Sequence, residues 1–401
     1  MNWKSGMSRR QFLWTIGSLS SMAAVGGVNF VFDAEKKLFA SPQNALVSAA
    51  WLPKGETSYP LFKAMIEKAT DFSWLRKGNS VLVKLALNSG NPNPATTDPW
   101  ALDCLLKSLN EHGAGTIYVG DQSGVRNVYW TAQGQQRGSS RAFAQTSGLL
   151  AVIEENGATP IFFEERGYDS YIETFPTGEH HWSHPLRITS FVNEVDHIVY
   201  VPRLGSHGFA DLTSGMKIGV GFLREDSRRE LHQGGDSYYP MYEEINEVPE
   251  IKSKLRLTVS TGRKVMTLVG PDAGYVTEPN SAPIFASENL LAHELFAYAF
   301  LQYTREYLTP KDASDPTLGN LWDVMKMRTV RNRGFLNFVW GLTPDQVPEM
   351  AVFQPGDIYK HPAILNYIKL NPDKGLKFSV AEINDNPDRV AKQYIQKQLK
   401  V

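Results

Sequence analysis

Residues 201–221, VPRLGSHGFADLTSGMKIGVG, hold the densest set of chemically capable side chains in the sequence. Arg203, His207 and Lys217 fall on a predicted strand end, the loop after it and the following helix. If they converge, the guanidinium and ammonium suit a carboxylate or phosphate, since both pair well with anionic oxygens. His207 would ligate a metal or move a proton, because imidazole titrates near neutrality. A loop histidine is more often an ordinary surface group, but Gly205 and Gly208 beside this one allow close backbone approach.

Other polar residues sit at the ends of predicted strands. Lys84 lies near the end of the run VLVKL one pleat from Val83, so its ammonium needs a partner or a ligand. Asp121 lies between Gly120 and Gly124, where a carboxylate holds a cation, a ribose hydroxyl or a basic side chain, or simply makes an Asx-turn. Asp272, in GPDAG, either faces the same place or serves a tight turn. The expected roles are catalytic for His207, Lys217 and Asp121, and cofactor- or ligand-binding for Lys84, Arg203 and Asp272. A separate candidate is EHHWSH, in which His180, His181 and His184 have the three- and four-residue spacing of metal ligands on a helix. Pro176, Gly178 and Pro185 bracket that segment, so the rival reading is a solvated loop. There is no phosphate-binding Gly-x-x-x-x-Gly-Lys-Ser/Thr loop, no Gly-x-Ser-x-Gly elbow and no His-Glu-x-x-His pair.

The elements that must position these groups are short aliphatic runs alternating with amphipathic stretches. Strands are predicted at 45–51, 80–85, 116–119, 159–163 and 196–201, with helices at 59–69, 98–111 and 141–156 between them. This pattern predicts an α/β fold, a mostly parallel sheet flanked by helices on both faces. In such sheets ligands bind beyond the carboxyl ends of the strands, where Lys84, Asp121 and Arg203 lie. Two further strands at 255–259 and 264–269 are predicted to form a hairpin, followed by a strand at 283–286 and a helix at 288–308. The domain boundaries expected are 1–40 for a leader, 41–308 for the α/β domain and 309–401 for a helical or irregular C-terminal cap.

Composition narrows the partners. The 401 residues carry 41 Lys plus Arg against 42 Asp plus Glu, and lack the basic excess that marks nucleic-acid binding. The single cysteine, Cys104, rules out an intrachain disulfide, a Cys-rich zinc site and a cluster ligated wholly by this chain. In the leader, SRRQFLW (8–14) precedes an uncharged stretch to residue 32. A paired arginine ahead of an apolar run resembles a twin-arginine export signal, which predicts a periplasmic protein touching the membrane through that segment alone.

Three segments resemble the domain of unknown function family 362: residues 81–124, residues 201–221 quoted above, and ASENLLAHELFAYAFL at 286–301. The resemblance spans about residues 45–305. It implies an α/β protein often found beside ferredoxin-type iron–sulfur modules, so an iron–sulfur partner on a separate chain is one expectation and a cofactor of unspecified identity another. The sequence departs from the family pattern at Leu85-Ala86 after Lys84, at Arg203 where lysine is common, and near His293 and Glu294. Two functions follow as alternatives: an exported enzyme with an anion, small-molecule or metal pocket, or a non-catalytic accessory subunit of a redox complex.

Overall fold

Aliphatic and β-branched runs form an eight-stranded sheet in the computed structural model, which describes residues 45–131, 134–351, 357–372 and 378–400. The strands are β1 (Ala45–Pro53), β2 (Val81–Leu85), β3 (Ile117–Asp121), β4 (Thr159–Phe162), β5 (His197–Val201), β6 (Leu255–Thr261), β7 (Ser281–Ser287) and β8 (Phe378–Glu382). Across the sheet their order is β8-β1-β7-β6-β5-β2-β3-β4. Only β7 is antiparallel to its neighbours. From β2 the chain builds outward through β3 and β4, then crosses back and builds the other way through β5, β6 and β7. The reversal creates a switch point between β2 and β5, where an open α/β sheet leaves a crevice beyond its strand ends.

Helices cover both faces because strand side chains alternate. Val81, Val83 and Leu85 share one apolar layer with α1 (Tyr59–Ala69) and α2 (Pro99–Glu111), while Leu82 belongs to the opposite layer. Phe62 and Ile66 of α1 are fully buried there, each worth roughly 1.5–3 kcal/mol of transfer free energy. Asp98 caps α2 by accepting from the Trp100 amide at 3.0 Å, as the sequence suggests, and Pro99 opens the helix. Cys104 is buried on α2, and burial pushes its thiol up to about 12, so it is an inert packing group.

Three expectations need correction. The helix predicted at 141–156 is two, α3 (Ser140–Thr146) and α4 (Leu149–Glu155), because Gly148 takes a φ of 81° that a helix cannot continue through. The supposed hairpin does not exist: β6 lies in the main sheet, while Val265–Val269 joins a four-stranded sheet with Gly205–His207, Asp211–Thr213 and Gly274–Thr277. The C-terminal part is also more than a cap. It supplies β8, which pairs in parallel with β1. After α5 (Glu225–Gln233) and the long α6 (Leu290–Tyr307) it adds α7 (Arg328–Trp340), a helix the sequence did not announce. No described helix is long and apolar enough to cross a membrane. The paired-arginine segment lies outside the described residues.

Candidate functional site

A cavity of about 430 Å³ opens at the switch point, within the usual range for small-molecule sites. The segments after β2, β3 and β5 line it, and the Gly270–Gly274 turn and α7 complete the wall. Of the six residues singled out beyond the strand ends, Asp121, Arg203, His207, Lys217 and Asp272 line this cavity. Lys84 lies directly behind Asp121.

The Lys84–Asp121 pair is the rigid base of the site. Lys84 Nζ lies 2.5 Å from Asp121 Oδ1, and it also donates to the carbonyls of Leu85 (3.0 Å) and Ile218 (3.2 Å). Asp121 accepts further from the amides of Leu87 (2.8 Å) and Gln122 (2.7 Å). Burial pushes the Lys84 ammonium down and the Asp121 charge opposes that shift. Among the partners considered for Asp121, a basic side chain holds, so its carboxylate is committed to the fold. Gly221 closes over the pair: a Cβ there would fall 1.9 Å from Asp121 Oδ1 and 2.3 Å from Lys84 Nζ.

The cavity itself is cationic. Arg126, Arg203, Lys217, Arg228 and Arg331 line it, and none makes an ion pair among the described residues. Arg203, 3% exposed, donates to the carbonyls of Pro94 and Ser206, both at 3.1 Å. Arg228 on α5 donates to the carbonyls of Leu223, Gln122, Ser123 and Gly221. Carbonyl oxygens satisfy these N–H groups but do not cancel their net charge, so a positive field remains. Arg331 Nη1 is buried without any hydrogen-bond partner. Burial pushes Lys217 down to about 7, reinforced by Arg203 and Arg228 against the pull of Asp121. Asp272 sits at the edge, accepting from Asn88 Nδ2 at 2.7 Å.

Two imidazoles stand neutral among these cations. His207 Nδ1 accepts from the amides of Phe209 (3.1 Å) and Ala210 (3.3 Å), which leaves its proton on Nε2. Burial holds it well below the ordinary histidine range, helped by Lys217 and Arg203. His232 donates from Nδ1 to the Arg228 carbonyl at 2.7 Å, and burial pushes it down to about 3. Apolar rings pack against the imidazoles, with Phe335 5.5 Å from Phe209 and 5.1 Å from His232 between centroids.

Arg228, His232, Arg331 and Phe335 were not foreseen from sequence. The last two had a usable signal: Arg331, Phe335 and Phe338 fall at helical spacing on one face of α7, and all line the cavity. What carries α7 to this place is Asp211, whose carboxylate meets Arg328 Nη2 at 2.7 Å and Arg305 Nη1 at 3.2 Å. Burial alone would raise that carboxyl, but the two guanidinium charges and Tyr298 hold it well below the usual range.

The histidine segment is a correction. His180, His181 and His184 do not gather into a metal site: no metal-competent group of three such ligands occurs among the described residues. The segment forms no helix, so the four-residue spacing has nothing to bring onto one face. His181 pairs with Glu244 at 2.5 Å, exposed His184 with Glu230 at 3.1 Å, and His180 stacks on Phe175. His293 and Glu294, where the sequence departs from the resemblance, do not line the cavity. His293 Nε2 lies 3.0 Å from Ser260 Oγ, and Glu294 accepts from the Met216 amide at 3.1 Å beside Lys217.

Fold and site together define a doubly wound α/β protein with a cationic crevice at its switch point. The chain belongs to the family described as domain of unknown function (DUF362), whose family model matches residues 81–299. Among solved structures it is similar to the lactate racemase apoprotein from Thermoanaerobacterium thermosaccharolyticum, with 14% identity and a TM-score of 0.40. That likeness covers 65% of this chain and 57% of the other, so this chain spans a little over half of that protein's length. No curated protein matches the sequence.

Proposed function

We propose that the crevice binds a small organic anion, a carboxylate or phosphate with an apolar portion, and that Lys217 and His207 act at its reacting end. The observation that carries this reading is the set of four arginines and one lysine lining one cavity without an ion pair among the described residues. Arg203 and Arg228 are buried, and buried cations are costly when left uncompensated; an anionic ligand supplies the missing charge. The rings of Phe209 and Phe335 would receive the apolar part. His207, neutral and with its proton on Nε2, is arranged to donate a hydrogen bond to the ligand.

Calorimetric titration with phosphate and with simple 2-hydroxy and 2-oxo acids tests the reading. Arg331→Ala removes a guanidinium that supports no described hydrogen bond, so the fold should survive. The affinity of an anion should drop about 10–100-fold, the value of a charge-assisted hydrogen bond of 1.5–3 kcal/mol. If none of these anions binds wild-type protein, the reading fails.

Export is proposed on the paired arginines of residues 9–10 and the apolar run behind them. Cells producing a variant with Arg9→Lys and Arg10→Lys should retain the protein in the cytoplasm, whereas the wild type should appear in the periplasmic fraction. Equal distribution of the two proteins would remove this part of the proposal.

A further inference from the structure

Two lysines stand at this crevice and are held in opposite ways. Lys84, 0% exposed, is bound to the Asp121 carboxylate and to two carbonyls. Lys217 is half-buried, lines the cavity and makes no side-chain hydrogen bond or ion pair among the described residues. Its backbone is nevertheless pinned: the Met216 amide donates to Glu294 Oε2 at 3.1 Å, and the Met216 carbonyl accepts from Asn246 Nδ2 at 2.8 Å. An amine held in place, without an acceptor and among arginines, is poorly stabilised as an ammonium. Its surroundings favour the free amine, the form that attacks carbonyl carbon.

We propose that Lys217 forms an imine with a small 2-oxo acid whose carboxylate is received by the arginines of the same cavity. This rests on the anion-binding reading and adds a substrate class and a covalent step. The Nζ lone pair adds to the carbonyl carbon while the carbon–oxygen π pair moves onto oxygen. Nζ gives up a proton and the oxygen gains one, producing a carbinolamine. The nitrogen lone pair then expels the hydroxyl, which leaves as water once protonated, and nitrogen loses its remaining proton as the C=N bond forms. One water is released per imine and no oxidant or reductant takes part.

The surrounding groups fit this sequence of events. His207 carries its proton on Nε2 because Nδ1 is occupied by two backbone amides, so it can donate a hydrogen bond to the carbonyl oxygen and then to the departing hydroxyl, whose proton comes from the nitrogen through solvent. Arg331, with a buried and unpartnered Nη1, is placed for the carboxylate. The phenylalanine wall faces a cavity large enough for an acid with a sizeable apolar substituent.

The test is reductive trapping on the full-length protein. Pyruvate or phenylpyruvate is added with cyanoborohydride, and the digested protein is mapped by mass spectrometry. The expected result is a reduced adduct on Lys217, with exposed Lys107 and Lys326 left unlabelled and the adduct lost in Lys217→Arg. Absence of the adduct from Lys217, or an equal yield in the variant, overturns the imine. Mapping uses wild-type protein, so its outcome does not depend on the variant folding. The corresponding 2-hydroxy acid, which has no carbonyl, separates the two claims. If it binds and no 2-oxo acid is trapped, the anion site stands and the imine falls; if neither acid binds, both fall.

Discussion

Asp121→Ala is expected to destabilise the protein by about 3–5 kcal/mol, the cost of stranding a buried charge by removing its partner. Lys84 is 0% exposed, and its two remaining hydrogen bonds, to the carbonyls of Leu85 and Ile218, do not neutralise an ammonium. The same change orphans the Leu87 and Gln122 amides. Gly221→Ala should act in the same direction by wedging a methyl group between the two charged groups. Urea denaturation monitored by circular dichroism measures the effect as a fall in midpoint at constant slope. A loss under about 1 kcal/mol, the level of an exposed pair, would show that water reaches the ammonium and that the pair is not the rigid base described above.

Anion affinity is expected to be flat below about pH 7 and to weaken by up to tenfold per pH unit above it, through Lys217. The sign follows from linkage. In the empty crevice burial, Arg203 and Arg228 hold the amine down at about 7 against Asp121, with Lys84 adding to the depression. A bound anion favours the ammonium and raises that value, so binding takes up a proton between the two values. Below the lower one the amine is charged in both states and affinity does not change. His207, far below its ordinary range, and His232, at about 3, stay neutral throughout and add no slope. Arg203, brought down to about 10 by burial against the pull of Asp272, would begin to contribute only near that pH. Titration with a 2-hydroxy acid, which cannot form an imine and stays fully ionised across this range, isolates the effect. Affinity constant from pH 6 to pH 9 would show that the Lys217 amine does not contact the anion.

The strand ends were legible because their signals are local. Aliphatic runs at 81–85 and 197–201, the Asp98-Pro99 start of α2 and the glycines on either side of Asp121 state where each strand stops and which polar residue follows. Since a parallel sheet sends its carboxyl ends to one edge, Lys84, Asp121 and Arg203 were bound to be near one another once the α/β pattern was read. Segments without such a rule were misread. Residues 264–269 are as strand-like as residues 255–259, yet β pattern does not specify which sheet a strand joins. His180 and His184 have helical spacing, but the proline and glycine around them decide the backbone, and the backbone decides where imidazoles point.

The amino-acid order therefore suffices for the layered α/β architecture, the crevice edge and the residues that stand on it, because each depends on period, caps and strand direction within a few residues. Folding in three dimensions settled their roles. It tied Lys84 to Asp121 and left Lys217 without a side-chain partner among the described residues, although the sequence marks both lysines alike as candidates. It also delivered Arg228, His232, Arg331 and Phe335 from two distant helices, with Asp211 clamping the second through Arg328. Contacts across more than a hundred residues of chain depend on which surfaces fit and which charges can be compensated together, and those conditions exist only in the assembled protein.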